Sequence, residues 1–273
     1  MNWQLTKRAQ TIKMNIFAEL ANYKSEKLRQ GEKMIDLSVG SPDLSPPEFV
    51  METLSKHAQN PNKYGYTLRG LAAFNEAVSH YYHSRFDVEI DADKEVLQVN
   101  GSQDGIIHLP YLFAEEGDLI LVPDPGYTAY ETAVEVSGAK FYPMPLLEKH
   151  QFLPNLTEIP EAIAHQAKMM ILNFPGNPVP ALATKAFFKE VVDFAKKYNI
   201  LVIHDFAYCE LYFDDVKPIS FLSVEGAKDV GVEFNSLSKS FNMAGCRIGF
   251  VAGNPEVIEA LNHFKSNIDY GIF

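Results

Sequence analysis

Short apolar runs separated by amphipathic stretches dominate the chain after about residue 90. The runs that predict strands are Val96–Val99, Leu119–Val122, Lys140–Tyr142, Met169–Leu172, Ile200–His204, Gly231–Asn235 and Ile248–Ala252. Several of them are apolar at every position, which is typical of strands that helices cover on both faces. The pattern therefore predicts an α/β fold with a mostly parallel seven-stranded sheet covered by helices.

The first 36 residues follow a different pattern. Apolar residues at helical spacing predict a helix-rich arm that ends near Gly31; they are Ile12, Ile16, Phe17, Leu20 and Tyr23. The segment 39–47 reads VGSPDLSPP, and its density of turn residues predicts a rigid connector between the arm and the strands.

Composition narrows the classes of function. A chain of 273 residues with 47% hydrophobic and 22% charged residues can bury a large core. Its net charge of −11 argues against nucleic acid as a partner, because binding phosphates needs clustered basic residues. No signal peptide or run of about 18 apolar residues is recognisable. We therefore expect a cytoplasmic protein without a membrane partner, in which Cys209 and Cys246 are reduced thiols.

Polar residues cluster where the predicted strands end. They are found at 101–102, 124–127, 173–177, 205 and 236–239. Open α/β sheets bind ligands at the carboxyl ends of their strands. The clustering therefore predicts a binding site at this edge of the sheet.

The strongest motif is the segment 235–249, which reads NSLSKSFNMAGCRIG. It resembles the class I/II aminotransferases of fold type I, the aspartate aminotransferase superfamily, which use pyridoxal 5′-phosphate (PLP). The resemblance implies that Lys239 is catalytic and holds the cofactor as a Schiff base. It also implies that Arg247, Ser236 and Ser238 bind the cofactor phosphate. A Schiff-base lysine must be deprotonated, and burial near cations favours that state; the alternative is an ordinary surface lysine after a strand.

The segment 100–105, NGSQDG, follows a predicted strand and opens a helix. Free N–H groups at a helix N-terminus suit a phosphate, although a Gly-Ser pair begins many helices. The resemblance implies that Ser102 and Gln103 belong to the phosphate site.

The segment 204–208 reads HDFAY. By the resemblance, Asp205 pairs with the pyridine nitrogen, which makes the ring an electron sink, and Tyr208 hydrogen-bonds the ring hydroxylate; both are expected to be catalytic. An Asp at a strand end also commonly caps a helix. His204, Cys209 and Glu210 match no zinc spacing and are expected to serve in packing.

Three further positions follow from the resemblance. Asn177, in NFPGNPVP at 173–180, is the second donor to the ring hydroxylate, although Val179 and Pro180 replace the family's Thr-Gly. Tyr127 stacks on the pyridine face. Gly40 lies near the substrate carboxylate.

The segment 62–70, NKYGYTLRG, resembles the one that lends a tyrosine hydroxyl to the phosphate of a neighbouring subunit. Its spacing does not choose cleanly between Tyr64 and Tyr66, and we favour Tyr66. A homodimer is therefore expected, with the isologous contacts that are commonest in oligomers.

The resemblance extends from about Leu5 to Phe273. It implies an N-terminal arm with part of a small domain at 1–44 and the large PLP-binding domain at 45–273. Family members continue further, so we expect an incomplete small domain that lacks the arginine fork for the substrate carboxylate.

The implied function is PLP-dependent transfer of an amino group between an amino acid and a 2-oxo acid. A fold-type I PLP lyase and a weakly active or inactive PLP-binding protein are the alternatives. A nicotinamide dehydrogenase is disfavoured because no GxGxxG motif follows a predicted strand.

Overall fold

The computed structural model describes residues 3–272; Met1, Asn2 and Phe273, which the expected domain boundaries include, lie outside the described residues. The helices are α1 (Lys7–Thr11), α2 (Ile16–Arg29), α3 (Glu48–Ala58), α4 (Ala72–Phe86), α5 (Ser102–Phe113), α6 (Thr128–Ser137), α7 (Glu161–Gln166), α8 (Lys185–Tyr198), α9 (Ala227–Val230), α10 (Leu237–Ser240) and α11 (Pro255–Ile268). Short 3-10 helices occur at Pro61–Lys63, Glu148–His150, Leu156–Glu158, Phe221–Ser223 and Ala244–Cys246.

The seven predicted strands are all present and form one sheet. They are β1 (Val96–Val99), β2 (Leu119–Asp124), β3 (Lys140–Pro145), β4 (Ala167–Leu172), β5 (Leu201–Asp205), β6 (Gly231–Ser236) and β7 (Gly249–Gly253). Their order is β1-β7-β6-β5-β4-β2-β3. Every neighbouring pair from β6 to β3 is parallel, and only β7 runs against its two neighbours. The predicted mostly parallel α/β sheet is therefore confirmed.

Two apolar clusters, one on each face of the sheet, explain why the strands lack polar alternation. One cluster joins Phe188 and Val192 of α8 to Val202 and Leu172. The other joins Ile106 of α5 to neighbouring strand residues such as Ile203 and Ile171. Successive residues of one strand, such as Val202 and Ile203, thus enter different clusters because a strand alternates its side chains between faces.

The N-terminal helices contribute little to these clusters. Every residue of α2 and α3 is at least partly exposed, whereas α4 buries Asn75, Val78 and Tyr82. The predicted helix-rich arm is present, as α1 and α2.

Within residues 3–272, no helix combines the length and apolarity needed to cross a membrane.

A polar network lies inside the sheet next to the predicted site. Glu233 and His204 face each other on β6 and β5, both fully buried, with 2.8 Å between His204 Nδ1 and Glu233 Oε2. Glu233 also accepts hydrogen bonds from the Tyr82 and Ser220 hydroxyls and from the Phe221 N–H. Buried carboxylates are tolerated when several donors surround them in this way.

We expect Glu233→Ala to lower the free energy of unfolding by about 3 kcal/mol, because it leaves buried donors without an acceptor. Glu89→Ala is the matched control. Glu89 also contacts a histidine, His83, at 2.6 Å, but the two side chains are 85% and 57% exposed. Removing it should change stability little. Urea unfolding curves measure the free energy of unfolding of both variants. Equal losses of stability would contradict the stabilising role of the buried Glu233 contacts.

Candidate active site

A cavity of about 620 Å³ opens at the carboxyl edge of the parallel strands. Its lining includes the sequence-predicted residues Gly40, Ser102, Gln103, Tyr127, Asn177, Asp205, Tyr208, Ser236, Ser238, Lys239 and Arg247. These residues come from well-separated segments of the chain, and the sheet collects them because parallel strands end at one edge. The cavity's volume is within the usual range for a small-molecule site.

One end of the cavity is built from hydrogen-bond donors. Gly101, with φ of 81°, turns the chain from β1 into α5, and no side chain of the described residues caps this helix. The N-terminus of α5 is therefore open to an anion. Arg247 lies beside it, and a Cβ at Gly101 would collide with the Arg247 guanidinium. Ser238 Oγ is 3.5 Å from Arg247 Nη1. This donor set suits a phosphate group.

Lys239 is presented by the short helix α10, directly after β6. Its Nζ donates to the Gly40 carbonyl at 3.1 Å and lies 6.0 Å from the centre of the Tyr208 ring. Burial and the positive charge of Arg247 lower the pKa of Lys239 below its ordinary value. Both effects favour the neutral amine, which is the nucleophilic form.

Asp205, the last residue of β5, is buried among neutral hydrogen-bond donors. The Tyr130 hydroxyl donates to its Oδ2 at 2.8 Å, and the Ala207 N–H donates to its Oδ1 at 3.3 Å. Burial raises the pKa of Asp205, although these hydrogen bonds oppose the rise. A carboxylate in this setting would be stabilised further by a cationic ligand group, such as a protonated ring nitrogen.

A second set of contacts orders the loop after β4. Asn173 donates through Nδ2 to the Asp205 carbonyl at 2.8 Å and accepts through Oδ1 from the Asn177 N–H at 2.9 Å. Asn173 therefore fixes Asn177 relative to β5, even though Val179 and Pro180 depart from the expected motif. Tyr127 donates to Gln103 Oε1 at 3.1 Å, which links two further predicted residues.

Tyr66 does not line the cavity within this chain. It is 90% exposed, and its ring lies edge-on to Tyr270 with 5.7 Å between centroids. The alternative, Tyr64, donates its hydroxyl to the Ala58 carbonyl at 2.5 Å. Neither tyrosine therefore lines the cavity of its own chain.

Sequence reasoning missed Tyr130, which contacts Asp205 directly. Burial and the Asp205 charge raise the pKa of Tyr130 well above its ordinary value, so its hydroxyl remains a donor. Tyr127 and Tyr130 are three residues apart at the start of α6, and this spacing on one helix face was the available signal. Phe17 of α2 also lines the cavity without having been predicted to do so, as do Ser38 and Val39 further along the chain.

The three residues expected to serve in packing, His204, Cys209 and Glu210, contact neighbouring protein side chains. Cys209 is buried, and its Sγ contacts Asn235 Oδ1 at 3.0 Å. Glu210 pairs with Arg85 at 3.0 Å. Among the described residues, no group of three or more His, Cys, Asp or Glu side chains is arranged to hold a metal ion. Cys209 and Cys246 are both free.

The donor-rich end, the buried carboxylate and the lysine of lowered pKa fit PLP, which carries a phosphate, a basic ring nitrogen and an aldehyde. Fold and site together define a PLP-dependent enzyme of fold type I. The sequence profile of the family "Aminotransferase class I and II" matches residues 32–269. The chain belongs to this family and is a PLP-dependent aminotransferase that acts on amino acids and 2-oxo acids.

Individual relatives agree with this assignment. The chain is 43% identical to an LL-diaminopimelate aminotransferase of Desulforudis audaxviator (strain MP104C), over all of this chain and 70% of the relative. The substrate-bound structure of BacF from Bacillus subtilis superimposes with a TM-score of 0.94 at 37% identity, covering 99% of this chain and 69% of that one. A probable N-succinyldiaminopimelate aminotransferase from Thermus thermophilus gives a TM-score of 0.88 at 34% identity, covering 95% and 70%.

Proposed function

We propose that Lys239 is the residue that binds PLP covalently, with Asp205 and Arg247 at opposite ends of the cofactor. The observation that carries this proposal is the lowered pKa of Lys239 within a cavity that also contains a buried carboxylate and a guanidinium. In this proposal, Asn177 and Tyr208 hold the ring hydroxylate, and Tyr127 stacks on the ring. The phosphate site is completed by Ser102, Gln103, Ser236 and Ser238.

PLP supplies an electron sink that stabilises negative charge at the substrate Cα. The protein's residues have separate tasks around that chemistry. Lys239 Nζ, once displaced by the incoming amine, would take the proton from the substrate Cα as a general base and deliver it to C4′ of the cofactor as a general acid. Asp205 balances positive charge at the ring nitrogen, and Tyr130 keeps the Asp205 carboxylate in place. Gly40, whose carbonyl contacts Lys239, borders the space for the substrate carboxylate.

We expect borohydride reduction of the PLP-loaded protein to label Lys239, because reduction makes the covalent link permanent. Peptide mass mapping locates the label. Lys239→Arg is the control, since it keeps the charge but lacks an amine that forms this link, and it should remain unlabelled. A label on Lys217 or Lys228 in the wild-type chain would overturn the assignment.

The proposed substrate follows from the relatives. We propose that the chain transfers an amino group of LL-diaminopimelate, a compound with two amines and two carboxylates, to a 2-oxo acid. The 43% identity to the Desulforudis audaxviator enzyme, which runs the whole length of this chain, supports this proposal. N-succinyldiaminopimelate, in which an acyl group blocks one amine, is the alternative suggested by the Thermus thermophilus relative.

We expect kcat/KM for LL-diaminopimelate to exceed that for N-succinyl-LL-diaminopimelate by about tenfold or more. A site that binds the second amine would leave its own polar groups unpaired when that amine is acylated, and such a loss discriminates strongly between similar substrates. Both donors are assayed with 2-oxoglutarate as acceptor, with L-aspartate as a third donor. The control is Asp205→Asn, which should slow every donor without changing their order. A preference for the succinylated donor would favour the alternative substrate.

We also propose that the protein is a cytoplasmic homodimer, in which Tyr66 reaches the phosphate site of the partner. Large apolar side chains exposed within residues 1–44 support this proposal: Trp3, Ile35 and Leu37 are 88%, 89% and 92% exposed. In the same proposal residues 1–44 form the arm and part of a small domain, and residues 45–273 form the large domain. The cytoplasmic location rests on the sequence composition.

We expect sedimentation equilibrium to give the mass of two chains, with Tyr66→Phe remaining dimeric while its affinity for PLP falls. Tyr64→Phe is the matched control and should retain its affinity for PLP. A monomer that binds PLP at full occupancy would contradict the dimer. A loss of affinity in Tyr64→Phe instead would identify Tyr64 as the shared residue.

A further inference from the structure

A lysine of α11 is buried behind the phosphate end of the cavity. Lys265 is only 2% exposed, although lysine is among the residues least often buried. Its Nζ lies 2.7 Å from Asp104 Oδ2 on α5 and 2.7 Å from Asp269 Oδ2. A buried ammonium requires such partners, since its desolvation is costly. Lys265 itself does not line the cavity.

The two carboxylates that bind Lys265 also hold the turn between β1 and α5. Asp104 Oδ2 accepts from the backbone N–H of Asn100 at 3.2 Å, and Asp269 Oδ2 accepts from Asn100 Nδ2 at 2.7 Å. Asn100 immediately precedes the segment 101–103 of the proposed phosphate site. Lys265 is therefore connected to both the backbone and the side chain of the residue from which the donor-rich turn begins.

The charge of Asp104 affects how well the turn before α5 can bind an anion. Asp104 lies in the first turn of α5, at the end of the helix proposed to face a phosphate. Burial opposes ionisation of Asp104, but His108 and Lys265 outweigh it and lower the pKa of its carboxyl to about 2. Asp104 is thus anionic beside an anion site. The Lys265 ammonium lies between Asp104 and Asp269 and offsets one of their two negative charges, which weakens their repulsion of a phosphate.

The segment that follows Lys265 contacts a second part of the proposed site. The Gly271 N–H donates to the Thr67 carbonyl at 2.7 Å. Thr67 follows Tyr66, whose ring contacts Tyr270. The residues at and after the end of α11 consequently contact both the turn before α5 and the loop that carries Tyr66.

We propose that Lys265 is a positioning residue for the cofactor phosphate: it orients the Asn100–Gln103 turn through Asp104 and Asp269 and offsets one of their two negative charges. This inference rests on the proposed role of Ser102 and Gln103 in phosphate binding. It predicts a selective effect, because pyridoxal shares the ring and aldehyde of PLP but has no phosphate.

The test compares dissociation constants for PLP and pyridoxal, measured by absorbance titration, in Lys265→Met. We expect PLP binding to weaken by about tenfold or more, and pyridoxal binding to change by less than about threefold. Lys265→Arg keeps the charge and should retain most of the affinity for PLP. The matched control is Lys228→Met, which removes a lysine paired with Glu95 at 2.9 Å, beside β1 rather than α5. It should alter neither constant.

Equal weakening of PLP and pyridoxal, or no weakening of either, would overturn the proposal. If Lys265→Met does not fold, Lys265→Met combined with Asp269→Asn removes one of the two unpaired carboxylates. The same selective loss of PLP affinity is expected there because Asp104, which holds the Asn100 N–H, still loses the ammonium that positions it. A wild-type chain that binds pyridoxal as tightly as PLP would instead refute the phosphate site itself, a result distinct from failure of the Lys265 proposal.

Discussion

Strand β7 runs antiparallel to both of its neighbours, and this direction brings its first residue to the edge at which β1 and β6 end. Gly249 lies opposite Val99 on one side and Ser236 on the other. A Cβ at Gly249 would lie 2.8 Å from the Ser102 backbone nitrogen and 2.7 Å from the Asn235 carbonyl oxygen. The close approach of these three segments, which only glycine permits, places Arg247 beside the turn into α5. The donor-rich end of the cavity depends on that approach.

Three buried ionisable groups near this edge differ in how they are satisfied. Glu233 has four donors around its two oxygens, and Lys265 has two carboxylates. Asp205 has a phenol and a peptide N–H. Buried charges need such compensation, and those with perturbed pKa values concentrate at functional sites. Glu233 and Lys265 thus each contact an ionisable group of opposite charge type within the protein, whereas the partners of Asp205 are neutral donors.

The sheet was predictable because its signals are local. β1 has the bounds that the apolar pattern predicts, and β5 is displaced by one residue. A run of apolar residues can be recognised within the strand itself, without knowledge of its neighbours in the fold. Lys239 and Arg247 share one short segment, so their spacing could be recognised in the sequence. Tyr130 and Lys265 could not be found in this way. Asp205 lies 75 residues from Tyr130, and Asp104 lies 161 residues from Lys265, so only the folded sheet makes these pairs neighbours.

Burial lowers the pKa of Lys239, and the Arg247 guanidinium, which also faces the α5 turn, lowers it further. An anion bound to Arg247 would cancel part of its field and thereby oppose the smaller of the two contributions to the lowered pKa. Thermodynamic linkage makes this effect reciprocal: the anion binds more tightly to the protonated lysine than to the neutral one. Anion binding at Arg247 and protonation of Lys239 are therefore coupled equilibria.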